Sequence, residues 1–130
     1  MKNYPALFPK AEKLCGIKAI DDLFASGKTV TAPLFRIFYS LLPESEGKAR
    51  SRILISIPKK IFKKAITRNL LKRRVREAYR KNKYLLLDSL DKTGFRIEMA
   101  VVWRDPNIAG YQEIETSMKE ALNKLSRLKY

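Results

Sequence analysis

A chain of 130 residues with 45% apolar content is long enough for one domain whose core buries about two thirds of the unfolded surface, and it is too hydrophobic for a disordered basic tail. Its net charge of +15 arises from 28 Lys and Arg against 13 Asp and Glu, with no His and a single cysteine, Cys15. That composition excludes an intramolecular disulfide and the usual zinc-ligand sets, fits a reducing cytoplasm, and directs attention to a polyanionic partner.

Along the chain, residues 1–11, with Pro5 and Pro9, read as an extended N-terminal segment without the apolar core of a signal peptide, and residues 12–130 as one α/β domain. From Lys13 to Ser26 the apolar positions Ile17, Ile20, Leu23 and Phe24 share one helical face, and Gly27 supplies the stop. A short strand is expected near Thr29 to Thr31. Phe35 to Leu42 and Arg52 to Ile57 then carry the β-branched, aromatic and aliphatic residues of strands, and the Pro, Gly and charges of PESEGKARS predict an antiparallel hairpin between them.

Pro58 keeps Lys59 to Lys64 in a loop, after which the absence of Pro and Gly and the wealth of helix formers predict a helix from about Lys64 to Tyr84. Leu85 to Lys92 reads as a continuation of that helix or a turn. FRIEMAVVW, opened by Gly94, alternates Phe95, Ile97, Met99 and Val101 as a strand with one buried face. After RDPNIAG, the positions Ile114, Met118, Ala121, Leu122, Leu125 and Leu128 mark a final amphipathic helix. The order α-β-β-β-α-β-α, with no internal repeat, predicts an α+β fold, an α-β sandwich of two or three layers. No apolar run approaches the roughly 18 residues of a membrane span, so the chain is expected to be neither inserted nor exported.

The charge is concentrated. Lys59 to Lys83 holds twelve Lys or Arg against one acid, Glu77, which gives +11 in 25 residues, while the remaining sixteen basic and twelve acidic residues contribute only +4. On a helical wheel Leu71, Val75, Ala78 and Tyr79 occupy an arc of about 100°, and Arg68, Asn69, Lys72, Arg73, Arg76 and Arg80 fill the next ~140°. One flank packs and the neighbouring flank presents a polar ridge. A single Glu leaves the ridge unneutralised, so its self-repulsion is a standing cost without a polyanion; phosphates of a folded RNA suit the spacing, and Arg adds bidentate and stacking contacts. The acids, by contrast, are scattered. Asp21 and Asp22 point about 100° apart on one helix, so they do not converge as a two-metal nuclease requires.

Ser56-Ile57-Pro58-Lys59-Lys60 leading into Ala65-Ile66-Thr67-Arg68-Asn69-Leu70-Leu71-Lys72-Arg73-Arg74-Val75-Arg76-Glu77 is similar to the strand, basic loop and RNR helix of the protein subunit of bacterial ribonuclease P. The resemblance extends over about residues 12 to 128 and takes in the strand ending at Trp103-Arg104-Asp105-Pro106. It departs at Leu70, which stands where the family has the third member of its RNR triplet. It also departs at Phe62-Lys63-Lys64, which replaces a Gly-containing turn and adds a residue.

The resemblance implies a sandwich like the second domain of ribosomal protein S5 and a protein that has no catalytic residues of its own. Its RNA partner, ribonuclease P RNA, is a ribozyme that removes the 5′ leader of precursor tRNA with Mg²⁺ bound mainly by the RNA. The positions implied to dock the ribozyme are Lys59, Lys60, Lys64, Arg68, Asn69, Lys72, Arg73, Arg76 and Arg80. Those implied to hold the leader are Ile20, Phe24, Thr29, Arg36, Phe38 and Arg104. Neither a membrane nor an obligate protein partner is expected, and the site of action is the cytoplasm. Two other classes compete on the same composition. One is a ribosomal or assembly protein that organises rRNA; the other is a DNA-binding regulator, which lacks a helix-turn-helix partner here because Lys59 to Lys64 follows a strand.

Overall fold

The computed structural model describes residues 12–14, 16–45 and 49–128; Cys15 and the segment 1–11 lie outside the described residues. Its elements are α1 (Ile17–Ser26), β1 (Lys28–Thr31), β2 (Phe35–Pro43), β3 (Ser51–Ser56), α2 (Ala65–Asn82), α3 (Tyr84–Leu90), β4 (Phe95–Trp103) and α4 (Tyr111–Ser126). The expected α+β sandwich is present, with one addition: Leu85 to Lys92 contributes its own short helix, α3, after a break at Lys83.

The sheet order is β1-β2-β4-β3. This corrects the hairpin expected between β2 and β3. β2 instead runs antiparallel to β4 over nine paired positions from Phe35↔Trp103 to Pro43↔Phe95, and β3 lies parallel to β4 on its other side. β4 takes the centre because it is the most apolar strand, with Ala100 and Val101 buried on opposite faces. The parallel β3–β4 pair is joined by the α2–α3 crossover that such pairing demands. The link after β2 is tied at both ends to the start of β4, through Glu44 N–H to the Gly94 carbonyl and Ile97 N–H to the Arg50 carbonyl, both at 2.9 Å. Its Pro, Gly and charges are therefore those of a connection that spans the central strand, not of a tight turn.

Strand alternation gives the sheet two different faces. Phe35, Ile37, Ile53, Met99, Val101 and Trp103 point into the main core, against Leu71, Val75, Ala78 and Tyr79 of α2, Leu86 and Leu90 of α3, and Ile114, Met118 and Leu122 of α4. Among the described residues the opposite face is covered by α1 and the segment just before it, where Leu23 and Leu14 pack on Ala100 with Ile20, Phe38 and Leu54 around them.

The first helix begins at Ile17, four residues later than its periodicity suggests. Lys13 bridges to Ile53 in the parallel sense, Leu14 N–H donates to the Ile53 carbonyl at 2.9 Å, and Gly16 turns the chain at φ 103°, a left-handed value that favours glycine. The segment before the helix thus extends the β3 edge. At the other end Gly27 is required, since a Cβ there would lie 2.3 Å from the Leu23 carbonyl oxygen.

Candidate nucleic-acid interface

The ridge is held out by the burial of its neighbours. Leu71, Val75, Ala78 and Tyr79 are fully buried, and the Tyr79 hydroxyl shares a 2.6 Å hydrogen bond with Ser51 Oγ, so the rotation of α2 about its own axis is fixed. Asn69, Arg73 and Arg76 are consequently exposed, while Arg68, Lys72 and Arg80 are half-buried. Arg74 is taken up by the fold, donating from Nη1 to the Ala109 carbonyl at 2.7 Å. Arg80 donates from Nε to Glu77 at 3.1 Å, and this bond holds the Glu77 carboxyl below the usual carboxylate range. The first turn of α2 contains no acid, so the positive end of the helix dipole adds to Lys63 and Lys64 instead of being offset. Lys72 and Arg76, with Lys13, border a groove of about 300 Å³ floored by Leu14, Ile53 and Ile55.

The loop that feeds the helix is ordered by the same ridge. Ile61 and Phe62 N–H donate back to the Pro58 carbonyl, Phe62 packs edge-on to Trp103 with ring centroids 6.4 Å apart, and Arg68 Nη1 donates to the Phe62 and Lys63 carbonyls at 2.8 and 2.7 Å. Lys59, Lys60 and Lys64 are exposed along it. Arg68 therefore gives part of its donor capacity to the loop, a role invisible in its wheel position. Leu70 is half-buried, and Ile66 one turn earlier is 84% exposed.

The leader-cleft positions fall on the α1 side of the sheet, away from α2. Phe24, 41% exposed, and half-buried Phe38 stack at 4.9 Å between centroids with planes tilted by 60°. Thr29 sits opposite Phe38 in the β1–β2 register and is exposed. Arg36 projects from the same face of β2. Arg104 donates from Nε and Nη2 to the Ala32 carbonyl at 3.2 and 2.8 Å, which fixes its guanidinium at the end of β4. Arg36, Phe38, Lys60, Val102 and Arg104 line a cleft of about 410 Å³. Ile20, Phe24 and Thr29 do not line it; Phe24 adjoins it through its contact with Phe38, and half-buried Ile20 packs against the Leu14, Leu23 and Ala100 cluster. Lys60, assigned by sequence to the ridge, lies in the cleft wall, so the basic loop borders both surfaces. Among the described residues no three Asp, Glu or Cys side chains converge to hold a metal ion.

The family model described as Ribonuclease P matches residues 8–126. The ribonuclease P protein component of Porphyromonas gingivalis ATCC 33277 is 34% identical over 124 residues, covering 94% of this chain and 90% of that protein. That of Chlorobium phaeobacteroides is 34% identical over 102 residues, covering 72% of this chain and 69% of that protein. Among solved structures, the ribonuclease P proteins of Staphylococcus aureus and Thermotoga maritima share the fold, with TM-scores of 0.68 and 0.67 at 21% and 24% identity, covering 91% and 92% of this chain and 97% and 99% of theirs. The basic helix on a four-stranded sheet, the order of elements and the match over nearly the whole chain lead to one conclusion: this chain belongs to the ribonuclease P protein family.

Proposed function

We propose that the chain is the RNA-binding subunit of a ribonuclease P, docking the catalytic RNA on the α2 ridge and holding the 5′ leader of precursor tRNA in the cleft beside α1. The observation that carries this reading is the presence of two basic surfaces on opposite sides of one sheet, one dominated by the cations of α2 with Asn69, the other combining cations with stackable rings. Asn69, Lys72, Arg73 and Arg76 meet phosphates of the folded RNA, with Lys59 and Lys64 extending the contact. Phe24 and Phe38 offer π-faces to unpaired leader bases, a sequence-tolerant contact worth about 1 to 3 kcal/mol per base, while Arg36, Lys60 and Arg104 neutralise the leader backbone and Thr29 supplies a hydroxyl at the rim.

In this reading residues 12–130 act as one RNA-binding domain. The RNA supplies the chemistry, hydrolysis of the phosphodiester at the leader junction with Mg²⁺. The acids among the described residues do not suit a protein-held ion, so no step is assigned to one. The chain's own residues bind, orient and neutralise. No helix among the described residues is long and apolar enough to cross a membrane. In this reading the complex with RNA works in the cytoplasm.

Reconstitution tests this directly. Added to a bacterial ribonuclease P RNA at low Mg²⁺, the chain is expected to accelerate removal of the leader and to favour precursor over mature tRNA. Failure to stimulate, with tight binding to rRNA fragments instead, would move the chain to a structural RNA-organising role.

A further inference from the structure

α1 crosses the open sheet face and leaves a second cleft on its far side, of about 560 Å³, bordered by Lys18, Asp22, Ser40, Arg52, Arg96 and Glu98. The strand register builds its floor. Glu98 on central β4 sits opposite Ser40 of β2 and Arg52 of β3, with Arg96 two residues away on the same face. Arg52 Nη1 and Arg96 Nη1 both donate to one Glu98 oxygen, Oε2, at 3.1 and 3.3 Å.

One carboxylate thus answers two guanidinium groups whose side chains retain only 20% and 13% of their exposure. Arg96 Nε is buried and meets no acceptor among the described residues. A buried charged donor without an acceptor is costly, and two guanidiniums clamped by one Glu form a fixed, forked array with a surplus of positive charge. At the rim Lys18 and Asp22, one turn apart on α1, carry opposite charges, so the net charge of the lining equals that of the floor. A phosphate, with several acceptor oxygens and negative charge, is the ligand that this array matches.

We propose that the cleft beyond α1 is a second phosphate site, which takes a phosphate of a single RNA strand separately from the Arg36–Arg104 cleft. Glu98 is its positioning residue, holding both guanidiniums in place. The RNA source rests on the function proposed above; the site itself does not.

The test follows the Arg side-chain Nε–H signals of the full-length chain by NMR during titration with a short single-stranded RNA oligonucleotide and, separately, with inorganic phosphate. The Arg96 signal is expected to shift with the oligonucleotide at lower concentration than with inorganic phosphate. Ser40→Glu, which places a negative charge on the floor without removing the Arg52–Glu98–Arg96 contacts, is expected to weaken that response about fivefold. Arg96→Gln, monitored at Arg52, should do the same. In the holoenzyme Ser40→Glu should weaken precursor tRNAs with long leaders and leave short-leader and mature tRNA unchanged.

A response to inorganic phosphate with none to RNA overturns the proposal in favour of a small-anion site, and silence toward both removes the site altogether. Equal loss for all leader lengths also overturns it. Because the titration uses the free chain, it stands even if stimulation of the ribozyme fails.

Discussion

Arg68 belongs by spacing to the same line of cations as Lys72, Arg76 and Arg80, yet its guanidinium also closes the loop between Pro58 and α2 by donating to the Phe62 and Lys63 carbonyls. A wheel shows which side chains share a face; it does not show which of them fold back onto main chain five or six residues earlier. Arg73, exposed, serves as the control. Arg73→Ala is expected to leave thermal stability unchanged and to reduce the salt dependence of RNA binding by about one counterion. Arg68→Ala is expected to lower the slope by a similar amount and, in addition, to destabilise the chain by about 1 to 2 kcal/mol through loss of two charge-assisted bonds. Thermal unfolding beside a salt titration separates them. An Arg68→Ala protein as stable as the parent would mean that the loop holds its course without this side chain.

At the scale of elements, the periodicities of α2, α4, β2 and β4 were legible because each has one face committed to the core, whereas strand pairing was not. Two adjacent β-rich segments with a polar link look like a hairpin in one dimension. Only the competition for the central position decides the pairing, and nine matched positions on apolar β4 outweigh a local turn. The tie between α2 and the sheet shows the same limit: Tyr79 has the spacing of a core residue, but its hydroxyl is paired to Ser51 on β3, 28 residues away.

Burial pushes the Tyr79 hydroxyl well above the ordinary phenol range, and burial together with the bond to Glu115 pushes Tyr111 up to about 12. Both groups are neutral in the fold at a pH where the unfolded chain ionises them. Their contribution to stability is complete below pH ~10 and is lost as pH rises toward the elevated folded values. Tyr79→Phe is therefore expected to cost about 1 kcal/mol at neutral pH, where Ser51 Oγ loses its partner, and to make the alkaline decline in stability shallower. Denaturant unfolding at pH 7 and above pH 10 checks both. An alkaline slope equal to the parent's would show that Tyr79 does not govern it.

For the whole molecule, the charge density of Lys59 to Lys83 marks one basic surface in the sequence itself, whereas the positions expected to hold a leader come only from the family resemblance, and the fold sets α1, β2 and the end of β4 side by side. The cleft draws on Arg36, Phe38 and Arg104, with Phe24 packed against Phe38, residues far apart in sequence that carry no density of charge to betray them. Its wall also includes Lys60, counted by sequence with the ridge. The sheet separates the two surfaces, and apart from that loop they share no side chain.

Energetic independence should follow from this separation. Arg73→Ala is expected to weaken assembly with the catalytic RNA for every substrate, and Phe24→Ala to weaken leader-bearing tRNA alone by roughly 1 to 3 kcal/mol with mature tRNA unaffected. Combined, the two should add to within about 0.5 kcal/mol, as distant sites without shared partners do. Lys60→Ala should behave differently, coupling to each of them, because its loop is pinned to α2 by Arg68 while its side chain borders the cleft. Binding of precursor and mature tRNA to holoenzymes carrying each single and double substitution measures all three terms. Strong coupling between Arg73 and Phe24, with none through Lys60, would mean that the leader and the catalytic RNA meet on a single continuous surface.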